Sequence, residues 1–390
     1  MELKNKKTVL IFADWYLPGY KAGGPIKSIY SIVSYLKDDF NFFIITSNTD
    51  LGELVPYENI VSDQFIKVDD SVSIFYASKG FLKRKNILHL IKSVNFDVLY
   101  LNSLFSFYFS LLPIFFHITA SIKKPIVLAP RGMLGEGALK IKSKKKNIFI
   151  SLFKLINIHK RVIWQATSEQ EKKEINKVFG KNLNIAVVPN LQYSASSILH
   201  KPLFKTKGCV KLFFLSRISE KKNLLFALNI LSNLKIDNTV VVFDIIGPIE
   251  DLLYWQKCKK IIDKMPNTIK VTYHSAIQNS EVPQFIYGYH FLFLPTFNEN
   301  YGHAIVESLV NGKPIIISDQ TPWRNLKENG SGWDISLDDE KGFSQAILNC
   351  IDMGQEEYNE MSKNSIDYAK KYCVSMASVE LTKQLFINAC

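Results

Sequence analysis

Cysteine is scarce and poorly spaced for bridging. The 390 residues hold five, Cys209, Cys258, Cys350, Cys373 and Cys390. The number is odd and no two stand close together, which excludes a disulfide framework and a zinc-binding spacing. A reducing, cytoplasmic setting suits such a set. Internal repeats and low-complexity tracts are absent as well. The first apolar run, "VLIFA", is only five residues long before Asp14. It is too short for a signal peptide and predicts a first strand. Long uncharged runs are represented once, by residues 103–122, "SLFSFYFSLLPIFFHITASI". That stretch reaches the length of a membrane span. Its four serines, Thr119, His117 and Pro113, and the lack of a second such segment, favour a buried helix of a large domain.

Acid is lacking in one half only. Residues 1–190 carry 27 Lys and Arg against 15 Asp and Glu, a balance of +12, whereas residues 191–390 carry 21 of each. The whole excess positive charge therefore sits in the first half. It points to an anionic partner there, or to a surface tuned for solubility. Nucleic acid is disfavoured, because no DNA- or RNA-binding module and no basic-aromatic interleaving is present. The densest basic run is 140–161, "KIKSKKKNIFISLFKLINIHKR". Phe149, Leu152, Phe153, Leu155 and Ile156 give it a broad apolar face, consistent either with a core-facing helix or with peripheral contact at an anionic membrane.

What is present is 47% apolar residues and 22% charge, ordinary for a globular chain. The length is too great for one core, so two domains are expected. In the first half, apolar runs at 8–13, 41–47, 97–103, 125–131, 161–168 and 184–190 predict strands, with helices between several of them. One helix, 168–180, starts with Ser168 and Glu171 in capping-box spacing. After a looser segment, 191–208, the pattern restarts with strands predicted at 210–217, 239–247, 269–275, 290–296 and 314–319. This is strand-helix alternation twice over, hence two doubly wound α/β domains with mostly parallel sheets. The expected bounds are 1–195 and 205–365, with 366–390 a helical segment returning to the first domain.

Three constellations stand beyond the carboxyl ends of predicted strands, where such sheets bind ligands. The first is "FNENYGHAIVES" (297–308), with Glu299 and Glu307 on either side of Gly302. Gly302 opens a helix whose first amides suit an anion, and carboxylates accept hydroxyls well. Acids near a helix start also favour its dipole, so this spacing alone is a weak signal. The second is "FLSRISEKKN" (214–223), where Arg217 and Lys222 suit a diphosphate, or belong to a solvated basic turn. The third is "DWYLPGYKAGGPIKSIYSI" (14–32), in which Gly23 and Gly24 precede a helix with Pro25 near its first position. It lacks G-x-G-x-x-G, so no dinucleotide fingerprint is supported, and a plain turn is its simplest reading.

Together and in this order the three motifs resemble the retaining glycosyltransferase family 4. "PNLQ" (189–192), "GKPIIISD" (312–319), "APRGMLGEGAL" (129–139), "ATSEQE" (166–171) and "ISDQTPWRNL" (317–326) are similar to bacterial members associated with capsule and O-antigen synthesis. The resemblance implies the GT-B fold, two Rossmann-like domains facing a central cleft, and transfer of a sugar from a nucleotide diphosphate to a glycan or lipid-pyrophosphate-linked glycan. It implies that Arg217 and Lys222 hold the donor diphosphate and that Glu299 contacts the donor sugar. Asn300, Tyr301, Gly302 and His303 would then supply backbone donors, and Glu307 would bind ribose hydroxyls. Gly23 and Gly24 would approach the donor phosphates, and the acceptor would lie in the first domain, with Arg131 and Asn102 as candidates. Arg131 stands where several family members carry a histidine, so it serves either an acceptor phosphate or a structural contact. "YHSAI" (273–277) lacks a glycine common at the family's base-binding strand end. No Asp-x-Asp occurs, so neither a metal nor another cofactor is expected. A nucleotide-sugar epimerase or hydrolase, or a non-catalytic partner subunit of the same fold, are the alternatives.

Overall fold

Runs of apolar residues too short to be helices become the strands of two separate sheets. The computed structural model describes residues 6–135, 139, 143–191, 203–237, 239–373 and 376–390. The chain divides into two compact units, Met1–Tyr193 with Met376–Cys390, and Ser194–Ser375. The looser segment around residue 200, read as the joint, lies largely outside the described residues.

In the first unit the elements run β1 (Lys7–Phe12), α1 (Gly24–Leu36), β2 (Phe40–Ser47), β3 (Phe65–Asp69), β4 (Val72–Ala77), α2 (Arg84–Ser93) and β5 (Val98–Leu101). They continue with α3 (Leu112–Ile118), β6 (Ile126–Leu128), α4 (Ser143–Leu155), β7 (Ile163–Ala166), α5 (Glu169–Phe179) and β8 (Ile185–Val187). The sheet order is β3-β4-β2-β1-β5-β6-β7-β8. Every pair is parallel except β3 with β4. β1 lies near the middle, with Leu10 and Phe12 packed into one core layer and Val9 and Ile11 into another. Burial on both faces is why it reads as an unbroken apolar run.

The β3–β4 hairpin was not among the expected strands. β3 lies at the sheet edge and leaves Val68 exposed, so its sequence carries little apolar signal. The uncharged stretch 103–122 becomes a π-helical turn, Phe107–Leu111, leading into α3. Phe109, Leu112, Ile114 and Phe116 are buried there, while Phe107 and Phe115 are exposed. Among the described residues no helix is long and apolar enough to cross a membrane. Ser168 caps α5 by accepting from the Glu171 amide, at 3.1 Å. The Glu171 carboxylate does not complete a capping box; it turns to Gly132 and Thr167 instead.

The second unit contains β9 (Cys209–Leu215), α6 (Leu224–Ser232), β10 (Val240–Ile246), α7 (Leu252–Ile262), β11 (Ile269–His274) and α8 (Val282–Tyr287). β12 (Phe291–Leu294), α9 (His303–Val310), β13 (Ile315–Ser318), β14 (Gly332–Ile335), α10 (Glu340–Asp352) and α11 (Gln355–Tyr372) complete it. Its order is β11-β10-β9-β12-β13-β14, parallel throughout. β14 adds one strand to those expected.

The segment expected to return as 366–390 is divided. Residue 366 falls inside α11, which stays with the second unit because it buries Tyr358, Tyr368 and Ala369 in that unit's core. The return is made by α12 (Met376–Ala389), whose Phe386 ring packs 5.7 Å from Phe40 and 5.2 Å from Tyr100.

Candidate functional site

In the second unit the chain goes to one side of β9 for β10 and to the other side for β12. The loops beyond β9 and β12 therefore meet at a topological switch point, where open α/β sheets form their ligand crevice. Lys222 ends a short 3-10 turn after β9, and Glu299 stands in the loop after β12. Their side chains form an ion pair, and each is nearly nine-tenths buried, at 13% and 11% exposure. The two loops are stitched together by the Lys221 carbonyl, which accepts from the Phe297 amide at 3.0 Å and the Thr296 hydroxyl at 3.1 Å. The Glu299 amide in turn donates to the Gln320 carbonyl at 3.0 Å, fixing the acid's backbone against the loop after β13. Arg217 pairs not with these groups but with Glu250, at 3.0 Å, in the loop after β10.

Gly302 opens α9 with φ +76°, a left-handed conformation that favours glycine. A Cβ there would also stand 2.9 Å from the Ile305 side chain. With no side chain it cannot cap the helix, so the amides of the first turn have no side-chain partner from the cap position. Tyr301, just before it, points into the unit: it is buried, its hydroxyl donates to the Cys373 carbonyl at 3.3 Å, and its carbonyl accepts from Trp323 Nε1 at 2.5 Å. His303 is buried beside the Tyr301 ring, with centroids 4.9 Å apart. Asn300 and Glu307 are half-buried. The structure thus gathers Lys222, Glu299, Asn300 and the start of α9 at one switch point, and leaves Arg217 held aside by an acid. Among the described residues no group of three or more His, Cys, Asp and Glu is placed to hold a metal ion.

In the first unit the corresponding switch point lies between β1 and β5. Asp14, after β1, accepts from the Ser106 hydroxyl at 2.6 Å, which ties the two loops together. Burial pushes the Asp14 carboxyl above its ordinary range, against the lowering effect of the Ser106 bond. Gly23 has φ +68° and nothing near its missing Cβ, so backbone conformation rather than space calls for glycine there. The loop before it is anchored by Asp50, whose carboxylate accepts from the amides of Tyr20 and Lys21 at 2.8 and 3.1 Å. Gly24 begins α1, with Pro25 in its first turn.

Arg131 and Asn102, the two acceptor candidates, touch each other. Arg131 donates to Asn102 Oδ1 at 2.7 Å, to the Tyr100 hydroxyl at 2.6 Å, and to Asn190 Oδ1. The Tyr100 hydroxyl in turn donates a hydrogen bond to Gln165 Oε1 at 2.5 Å. Arg131 sits at φ +54°, and the following Gly132 amide donates to the buried Glu171 carboxylate at 2.6 Å. These contacts hold Arg131 within the protein, while its Nε has no hydrogen-bond partner among the described residues.

Residues 197–371 match the family model of glycosyl transferases group 1. No curated protein sequence matches the chain. Among solved structures, sucrose-phosphate synthase from Thermosynechococcus elongatus aligns with a TM-score of 0.72 at 12% identity, covering 98% of each chain. Anabaena HepE, in complex with UDP and glucose, aligns with a TM-score of 0.66 at 14% identity over 98% of this chain and 99% of its own. The lipopolysaccharide outer core galactosyltransferase WaaB aligns with a TM-score of 0.61 at 15% identity over 98% of this chain and all of its own, 100%. The fold is GT-B. Within this GT-B chain, three residues that fix the strand-end loops carry no local sequence signal: Asp50, Glu250 and Trp323. Each acts through a partner distant in sequence.

Proposed function

We propose that this chain is a retaining glycosyltransferase, moving a hexose-type sugar from a nucleotide diphosphate to a hydroxyl of a glycan or lipid-linked glycan. Its setting is bacterial surface polysaccharide synthesis in the cytoplasm. The observation that carries the reading is the Lys222–Glu299 ion pair beside the uncapped, glycine-opened start of α9. A cation, a carboxylate and a helix N-terminus at one switch point match a diphosphate flanked by two hydroxyl-bearing rings. In the absence of donor the two charges neutralise each other. A bound diphosphate takes over Lys222, and a sugar hydroxyl takes over Glu299.

Lys222 and the first amides of α9 then stabilise the charge that develops on the departing nucleotide, the part a metal ion plays elsewhere. Arg217 joins them once released from Glu250. Glu307, farther along α9, binds ribose hydroxyls. The bond from the sugar's anomeric carbon to the diphosphate breaks, and the bond to the acceptor oxygen forms on the same face. The acceptor's proton passes to the leaving phosphate oxygen, so no protein nucleophile is required. HepE, crystallised with UDP and glucose, supports a nucleotide-sugar donor, and WaaB's activity on lipopolysaccharide supports a surface-glycan acceptor. The first unit binds the acceptor, with Arg131 and Asn102 shaping that site from behind.

A thermal-shift screen across UDP-, GDP-, ADP- and dTDP-sugars tests the reading. One donor at a hundredfold excess over its dissociation constant should stabilise the fold by about 2.7 kcal/mol. No stabilisation by any of them would sink it. Release of free sugar or an epimer at full rate without acceptor would replace transferase with hydrolase or epimerase.

A further inference from the structure

The outward face of α4 carries several exposed apolar groups whose neighbours are cations rather than acids. At 100° per residue, the broad apolar face read from the sequence wraps too far around the helix to meet a single partner. The structure divides it. Ile150 and Phe153 are buried in the core of the first unit, and Phe149 packs against that core. Ile148, Leu152, Leu155 and Ile156 point away, at 64%, 54%, 75% and 47% exposure. These four recur at helical spacing on one stripe, and exposed Lys145 stands on the same stripe one turn earlier. Exposed Lys154, Lys160 and Arg161 lie toward its other end. No acid occurs between residues 140 and 161.

Other exposed apolar pairs have the opposite setting. Leu54 and Val55 lie between Glu53 and Glu58, and Leu252 and Leu253 follow Glu250 and Asp251. An anionic surface would repel both. Among the described residues, α4 is where several large exposed apolar groups on one helix combine with positive charge, and it sits in the unit that holds the protein's entire excess of +12. A helix with apolar groups on its outer stripe and lysines at both ends is built to lie in a headgroup layer. Each lysine near an anionic leaflet adds about 1 kcal/mol, so a few suffice for reversible attachment.

We propose that the exposed stripe of α4 and the residue after it, Ile148, Leu152, Leu155 and Ile156, with Lys145 at one end and Lys160 and Arg161 beyond the other, docks the protein onto an anionic phospholipid surface. The docking does not depend on the transferase reading, because it needs neither donor nor acceptor. It would hold the first unit beside a lipid-linked substrate.

Co-sedimentation of the full chain with vesicles tests it directly. One set is phosphatidylcholine alone and the other contains about 30% phosphatidylglycerol, an anionic fraction at which basic segments respond. The wild type should bind the anionic vesicles about tenfold more tightly than the neutral ones, and added salt should weaken the binding. The double variants Leu152→Asp/Leu155→Asp and Lys145→Glu/Lys160→Glu should each lose about tenfold in binding, with unchanged melting temperature because all four side chains are exposed. Equal binding to both vesicle types, no binding by the wild type, or undiminished binding by the variants overturns the proposal. So does concentration-dependent self-association that the Asp variant abolishes without vesicle binding, which would assign the stripe to a second copy of the chain.

Discussion

Both units are open sheets whose chain order reverses beside the first strand, yet their switch points are furnished in opposite ways. Between β9 and β12 the polar groups are charged and paired two by two, Lys222 with Glu299 and Arg217 with Glu250. A diphosphate and a sugar can exchange with such pairs one for one. Between β1 and β5 the polar groups bind mostly within the protein, with Asn102 Nδ2 and Arg131 Nε left over. Asp14 is bound to Ser106, Asp50 holds the glycine loop, and Arg131 is shared among three side chains. The same topology thus carries paired charges in one unit and a hydrogen-bonded frame in the other. Fold alone does not assign chemistry; the side chains at the strand ends do.

The comparison can be broken first at Glu171. Its buried carboxylate accepts from the Gly132 amide, the Thr167 amide and the Thr167 hydroxyl, at 2.6, 2.7 and 2.8 Å. Glu171→Ala removes the shared acceptor of three hydrogen bonds and should cost roughly 3 kcal/mol or more in urea denaturation. A loss below about 1 kcal/mol would mean the frame is looser than drawn.

A comparable effect is expected from His290 in the second unit, which is buried far from solvent. Its Nδ1 accepts from the Lys211 amide at 2.9 Å and its Nε2 donates to the Phe204 carbonyl at 3.0 Å, so the ring is held neutral. Burial lowers its pKa from the ordinary 6.5 to about 4, with the neighbouring lysines adding to the effect. Between those values the unfolded chain holds the extra proton and the folded one does not, so stability should fall as pH drops from 6.5 toward 4. The loss should approach about 3 kcal/mol. Melting curves of the wild type and His290→Gln should converge in their pH dependence if another group is responsible.

Smaller in energy, but decisive for the charged switch point, are Lys222→Ala and Glu299→Ala. Each should lower kcat/KM by more than tenfold, or over ~1.4 kcal/mol, while folding stability changes less than in Glu171→Ala. Unchanged turnover in both would remove the pair from the site. The smallest effect belongs to Arg217 and Glu250, whose side chains are 34% and 42% exposed. Glu250→Gln should change stability by less than about 0.5 kcal/mol, as ordinary surface pairs do, yet strengthen donor binding by freeing Arg217. Weaker donor binding would show that Glu250 orients Arg217 rather than competing for it.

Local pattern made the central strands legible. Val9–Phe12, Phe213–Phe214 and Phe291–Leu294 are buried on both faces, so their apolar character is continuous in the chain. The edge strands β3 and β14 were not legible, because pairing rather than composition makes them strands. The second unit's candidate residues could be read because glycine, acid and cation fall close together in two short loops. The fixing of those loops could not be read: Lys221 with Phe297, Glu299 with Gln320 and Trp323 with Tyr301 are long-range bonds through backbone groups. Arg131 illustrates the same limit. Its sequence context left a ligand or a structural contact open, and only the positions of Tyr100, Asn102 and Asn190 show what it touches.

A nucleotide sugar is proposed to bind where Lys222, Glu299 and the start of α9 meet. Calorimetric titration of the best donor from the screen into the wild type, Lys222→Ala and Gly302→Val tests it most directly. Gly302→Val forces a side chain into a left-handed position beside Ile305, at the amides proposed to hold phosphate. The account predicts saturable one-to-one binding to the wild type and at least about tenfold weaker binding to each variant, or ~1.4 kcal/mol. Wild-type affinity in both folded variants would contradict it.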